Sequence, residues 1–148
     1  EFGKPDVIAG IATGGIPQGV LVAQELGLPF IYVRSNVKDH GLGNLIEGTY
    51  EAGQNVIVVE DLISTGGSSL QGVQALKDAG LKVKGLIAIF SYGFETADEA
   101  FEKAECPYVV LSDYDHLIEQ AMNLGYIKEE ELDQLKKWRE LPSTWTPE

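Results

Sequence analysis

The sequence predicts an α/β fold: an open, mostly parallel twisted sheet flanked by helices. Three observations carry that expectation. Strand-like and helix-like segments alternate along the chain, the order that builds βαβ units with right-handed crossovers. Residues 55–60, NVIVVE, form a continuous apolar, β-branched run, as expected for a parallel strand covered on both faces. The helix-like segments are punctuated by proline near their starts and glycine past their ends.

Taken in order, DVIAGIA (6–12) reads as a short buried strand running into a glycine turn. PQGVLVAQELG (17–27) reads as a helix, with Pro17 in its first turn and Gly27 past its end. PFIYVRS (29–35) is a second strand, and NLIEGTY (44–50) alternates weakly, as an edge strand or hairpin arm does. After the strand at 55–60, SSLQGVQALKDAG (68–80) places Leu70, Val73 and Leu76 on one helical face and Gly80 at the C-cap. VKGLIAIFSY (83–92) is a strand. The next helix opens on a capping box, Thr96 to Glu99. PYVVLS (107–112) is the last strand, followed by helices in DHLIEQAMNLG and KEEELDQLKKWREL.

The 148 residues suit one compact domain spanning 1–148, and 44% apolar residues suit a globular one. The net charge of −12 argues against nucleic acid as a partner, since that needs a basic face. No apolar run nears the roughly 20 residues of a membrane span, and the opening EFGKPD has no features of a signal peptide. A single cysteine, Cys106, excludes an internal disulfide and fits a cytoplasmic setting. The acidic residues are unevenly spread: between Gly10 and Asp39 only Glu25 and Asp39 carry negative charge. A site for anions on an acidic protein is therefore feasible.

Ligands of open α/β sheets sit at the carboxyl ends of the strands, where the unusual residues of this chain gather. In VIVVEDLISTGGSSL (56–70) an apolar strand meets Glu60 and Asp61, then two apolar residues, then hydroxyls and glycines. Unpaired N–H groups and the partial positive charge of a helix N-terminus favour an anion at 64–69, and small residues let it approach. Carboxylates accept hydrogen bonds from sugar hydroxyls and can organise a hydrated Mg²⁺. An acidic pair beside a phosphate cradle describes a phosphorylated ribose. No Gly-Lys-Ser/Thr follows, so this is not a Walker loop.

This stretch resembles the phosphoribosyl-pyrophosphate (PRPP) motif of the type I phosphoribosyltransferases. The resemblance implies that Glu60 and Asp61 hold the ribose 2′ and 3′ hydroxyls. It implies that Ser64, Thr65, Gly66, Gly67, Ser68 and Ser69 lie at the 5′-phosphate cradle. GIATGGIPQG (10–19) resembles the family's pyrophosphate loop, formed here by Ala12, Thr13, Gly14 and Gly15, with a cis peptide expected at Ala12–Thr13. Many relatives have a lysine or arginine where this chain has Gly14, which leaves backbone N–H groups and Mg²⁺ for the pyrophosphate.

YVRSNVKDHGLGNLIEG (32–48) is a basic, glycine-punctuated loop in an acidic chain. It resembles the mobile catalytic loop of the orotate phosphoribosyltransferases, through Arg34, Lys38, Asp39-His40-Gly41 and Gly43-Asn44. Ser35 stands where the pattern often has a second lysine. The resemblance implies a type I phosphoribosyltransferase fold, with Arg34, Lys38 and His40 on PRPP and Lys38, His40 and Asp61 as the catalytic group. It implies transfer of ribosyl 5-phosphate from PRPP to orotate, releasing pyrophosphate and giving orotidine 5′-monophosphate in pyrimidine (UMP) biosynthesis. It implies Mg²⁺ held mainly by PRPP, with no protein ligand of its own, and a homodimer with shared sites. Ser64 and Tyr92, with Phe94 beside it, are the groups available for orotate.

Two departures bear on orotate. Many relatives carry an orotate-binding arginine near the position of Tyr92, and here no arginine lies between Arg34 and Arg139. The family also has an N-terminal segment that helps build a hood over orotate, whereas this chain opens almost at the first core strand. The expectation is therefore slower transfer to orotate than by a version restored at its N-terminus. Three alternatives stand beside the orotate enzyme: a non-catalytic PRPP-binding regulator, a truncated core of low activity, and a transferase for another nucleobase.

Overall fold

In the computed structural model, the described residues are 2–34, 45–140 and 142. They form a six-stranded sheet in the order β3-β2-β1-β4-β5-β6. The strands are β1 (Val7–Ile11), β2 (Phe30–Val33), β3 (Ile46–Glu47), β4 (Asn55–Ile63), β5 (Lys82–Ser91) and β6 (Tyr108–Asp113). All pair in parallel except β3, which closes the edge against β2 in antiparallel register. The helices are α1 (Gly15–Leu26), α2 (Gly67–Asp78), α3 (Glu95–Lys103), α4 (Tyr114–Asn123) and α5 (Leu132–Glu140). Successive strand side chains point to opposite faces. Val7, Ala9, Ile11, Val56 and Val58 accordingly join the larger core with Val73 and Leu76 of α2 and Phe101 of α3. Ile8, Ile57 and Val59 turn the other way and pack with Ala23 of α1. Phe101, 1% exposed, is the largest fully buried side chain among the described residues.

Several boundaries depart from the sequence expectation. Helix α1 starts at Gly15, two residues early, because a proline in the first turn lacks only an N–H that has no helical partner. Helix α2 ends at Asp78 with Ala79 as its cap, and Gly80 follows at φ 83°. The capping box at Thr96 does not form. Helix α3 already begins at Glu95, its cap is Phe94, and no side chain caps it. Asp113 caps α4 by accepting the His116 N–H at 3.0 Å. The C-terminal helix opens with a 3₁₀ turn at Glu129–Glu131 before α5.

The departure that matters most for function is at β4. It runs three residues past its apolar stretch, because Leu62 and Ile63 still pair with Phe90 and Ser91 of β5. Glu60 and Asp61 are thus inside a strand rather than at its end.

Candidate active site

The two acids are neighbours on β4 whose side chains remain in hydrogen-bond contact although their surroundings differ. Glu60 shares the parity of Val56 and Val58 and turns to the α2 side, where it is 4% exposed. There its Oε2 accepts the Ser69 hydroxyl at 2.8 Å, and its Oε1 accepts the Asp61 N–H at 3.0 Å. Asp61 is exposed on the α1 side. Its Oδ1 accepts the Leu62 N–H at 2.8 Å. Its Oδ2 lies against Gly14, so close that a Cβ there would stand 1.8 Å away. Gly15 is equally constrained, since its Cβ would meet the Val59 carbonyl oxygen at 2.3 Å. Gly14 and Gly15 therefore lie directly against β4 at Val59–Asp61. With Asp61 in this position a Cβ at 14 would collide with its carboxylate, so a side chain there requires Asp61 or the loop to move.

The peptide bond Ala12–Thr13 is cis, as the resemblance to a pyrophosphate loop implied. Ser64, Thr65, Gly67 and Ser68 are exposed at the carboxyl edge of β4 and the start of α2. Gly66 caps that helix at φ 80°, with no side chain capping it. The first N–H groups of α2 have no partner within the helix and open toward this edge. Ser69, placed in the cradle by its sequence position, instead faces inward at 1% exposure with its hydroxyl committed to Glu60. Arg34, at the end of β2, reaches Glu47 of β3 at 3.3 Å. Lys38 and His40 lie outside the described residues.

A phosphoribosyl transferase domain family model matches residues 1–123. Orotate phosphoribosyltransferase of Porphyromonas gingivalis is 53% identical over 144 residues, covering 97% of this chain and 69% of its own length. That of Bacteroides thetaiotaomicron is 54% identical over 145 residues, covering 98% of this chain and 68% of its own. The chain belongs to the orotate phosphoribosyltransferase family. Among solved structures, orotate phosphoribosyltransferase from Aeropyrum pernix superposes with a TM-score of 0.74 at 29% identity, over 84% of this chain and 68% of that one. The open, mostly parallel sheet is thus the fold of the phosphoribosyltransferases.

The family's acid pair has an uneven electrostatic setting in this chain. Burial pushes the Glu60 carboxyl up to about 7, and its hydrogen bond with Asp61 pushes the same way. The Ser69 hydroxyl and the Asp61 N–H act in the opposite direction by bonding the ionised form.

Past residues 64–69, β5 ends in a turn that the sequence reading left without a cation. Tyr92 N–H donates to the Ile63 carbonyl at 3.1 Å, which ties this turn to β4. The Tyr92 ring stacks on Phe94 at 5.5 Å and meets Trp138 of α5 edge-on at 5.4 Å. Arg139 of α5 donates through Nε to the Tyr92 carbonyl at 3.1 Å and through Nη2 to the Gly93 carbonyl at 3.2 Å. Its Nη1 pairs with Asp115. A cavity of about 960 Å³ adjoins this turn, with Thr65, Phe94, Tyr114, Leu135 and Arg139 in its walls. Sequence reasoning missed Arg139 because the contact spans 47 residues and no local pattern announces it.

Proposed function

We propose that this chain transfers the ribosyl 5-phosphate of PRPP to orotate, forming orotidine 5′-monophosphate and pyrophosphate in pyrimidine biosynthesis. The observation that carries the reading is the seating of Asp61 against Gly14 beside the open start of α2. In this reading Asp61 is a hydroxyl acceptor that adjoins a pyrophosphate loop and a phosphate cradle. Identity of 53% to an orotate phosphoribosyltransferase over nearly the whole chain supports the choice of base.

In this reading the Glu60–Asp61 pair serves the ribose hydroxyls. Ser64, Thr65, Gly66, Gly67 and Ser68 receive the 5′-phosphate through N–H and O–H donors at the positive end of α2. Ala12, Thr13, Gly14 and Gly15 receive the pyrophosphate. As the bond to the anomeric carbon breaks, positive charge develops on the ribose and negative charge on the departing oxygens. Lys38 and His40 supply positive groups to the latter, Arg34 lies on the same side, and Asp61 stays beside the ribose. Ser64 and Tyr92 border the place for orotate.

Mg²⁺ would neutralise pyrophosphate charge when bound, carried by the oxygens of PRPP, because it prefers substrate phosphates and water to a full protein cage. The reading includes a homodimer with shared sites in the cytoplasm. No helix among the described residues is long and apolar enough to cross a membrane. The test is loss of orotate absorbance on mixing the chain with PRPP and Mg²⁺. PRPP-dependent loss with release of pyrophosphate is expected, and no turnover over hours at micromolar enzyme would overturn the reading.

A further inference from the structure

The turn that follows β5 is held by a side chain from far along the chain. The ladders of β5 with β4 and with β6 both end at Ser91. Tyr92 and Gly93 lie beyond them, and Arg139 of α5 takes both of their carbonyls. We propose that Arg139 is a positioning residue for the base: it does not touch orotate but clamps this turn, so that Tyr92 and Ser64 keep the separation the base requires. This deepens the transferase reading and rests on it for the identity of the ligand.

The backbone of Tyr92 is fixed on both sides. Its N–H donates to the Ile63 carbonyl at 3.1 Å, and Ile63 directly precedes Ser64. Its own carbonyl accepts Arg139 Nε at 3.1 Å. The bonds from α5 to Tyr92 and on to Ile63 therefore join the two groups that border the base. Gly93 is fixed in the same way. Its N–H donates to Ser91 Oγ at 3.0 Å, and its carbonyl accepts Arg139 Nη2 at 3.2 Å. Its φ is 65°, and a Cβ there would stand 2.7 Å from Nη2. Glycine suits this position twice, through its backbone angle and through the guanidinium packed against it.

Helix α5 supplies this clamp more than it supplies core. None of its side chains is fully buried. It is held where it meets the turn and α4. The Tyr114 hydroxyl donates to the Leu135 carbonyl at 3.3 Å, Trp138 meets the Tyr92 ring edge-on at 5.4 Å, and Arg139 pairs with Asp115. Two carbonyls and a carboxylate together fix the guanidinium, whose planar fork presents donors in set directions. A lysine presents one ammonium at one point and cannot span the same three acceptors. The shape of the Arg139 side chain, as well as its charge, is therefore what holds the turn.

The experiment compares wild type with Arg139→Ala, Arg139→Lys and Leu81→Ala, the last a core truncation beside the opposite end of β5. Calorimetry uses two probes: orotidine 5′-monophosphate, which carries the base, and ribose 5-phosphate, which lacks it. Arg139→Ala should bind the nucleotide about tenfold more weakly and ribose 5-phosphate within about twofold of wild type. Arg139→Lys should recover little of that loss. Leu81→Ala should leave both affinities unchanged below its melting temperature, which separates the clamp from simple loss of stability. Amide exchange read by NMR on the ligand-free chain gives the second arm. In Arg139→Ala, exchange at Tyr92 and Gly93 should quicken about tenfold or more beyond any change at Val58, whereas Leu81→Ala should quicken Val58 at least as much as the turn. Equal weakening of the two probes by Arg139→Ala, or full recovery in Arg139→Lys, would overturn the proposal. Turn exchange that rises no more than at Val58 in Arg139→Ala would also overturn it, making Arg139 a direct contact of the base. A wild-type chain that binds neither probe would overturn the transferase reading instead, and the exchange arm would still decide the clamp.

Discussion

Arg139 Nε donates to the main-chain oxygen of Tyr92 at 3.1 Å, joining the last described helix to the end of β5. The same guanidinium holds the Gly93 carbonyl and Asp115, and its Cζ lies 5.8 Å from the centre of the Tyr114 ring. One side chain thus ties α5, the start of α4 and the turn after β5 into a unit, with Thr65 across the adjoining cavity. Replacing Arg139 with Ala strands two carbonyls and a carboxylate. A Tm lower by several degrees is expected, as is a KM for orotate raised about tenfold while PRPP binding changes little. Steady-state kinetics with each substrate varied separately check this. Equal damage to both substrates would place the clamp's influence on the whole site.

Gly14 faces a carboxylate across a gap that no Cβ can enter. Gly14→Ala should displace either the 12–15 loop or Asp61, and PRPP affinity should fall at least about tenfold, which is about 1.4 kcal/mol. Because the loop lies at the edge of the sheet, Tm should move far less than affinity. Thermal melts with and without Mg-PRPP separate the two.

The stability of the fold should carry a signature of Glu60. Its carboxyl has a value near 4.5 in ordinary surroundings and about 7 in the folded chain. Between those values the folded state holds a proton that the unfolded state has released, so stability falls as pH rises through this window and levels off above it. The full span is on the order of 3 kcal/mol. Urea midpoints from pH 4.5 to pH 8.5 should show the decline in wild type and much less of it in Glu60→Gln.

Phe101 meets Tyr108 at a ring separation of 4.5 Å and lies under Gly66, whose Cβ, if present, would be 2.9 Å from its ring. Phe101→Ala should cost about 3 to 5 kcal/mol through lost burial and the cavity left behind. In a domain of this size that is a fall in Tm of about 10 °C or more. PRPP protection against melting should also shrink, since the ring supports the turn that starts α2.

Lys38 belongs to a segment outside the described residues, and its prediction rests on chemistry alone. A cation serving charge that develops on leaving oxygens affects the transition state more than the bound substrate. Lys38→Ala should lower kcat about a hundredfold or more with PRPP binding within a few-fold. Mixing Lys38→Ala with Asp61→Asn chains should restore activity if the loop of one subunit serves the site of its partner.

The sequence showed the strand and helix order because hydrophobic period and glycine–proline punctuation are local signals. The acid pair, the 12–15 loop and the hydroxyl-rich turn were legible for the same reason: each is a contiguous motif. Three things were not. The inclusion of Glu60 and Asp61 within the strand depends on β4 continuing past its apolar run, which the partner residues Phe90 and Ser91 decide. Ser69 reads as a cradle hydroxyl in a linear motif, and only the rotation of α2 turns it inward. Arg139 reaches Tyr92 through tertiary packing of a helix whose own pattern is mostly polar.

The continuation of β4 through Ile63 has one more consequence. A binding carboxylate on a loop shares the loop's low opening free energy. Asp61 is instead flanked by ladder pairs at Glu60–Ala88 and Leu62–Phe90, in the centre of the sheet. The residues on either side of it are released only when β4 and β5 separate locally. The carboxylate proposed for the ribose is therefore carried by strand backbone, and it should keep its place through excursions of the surrounding loops.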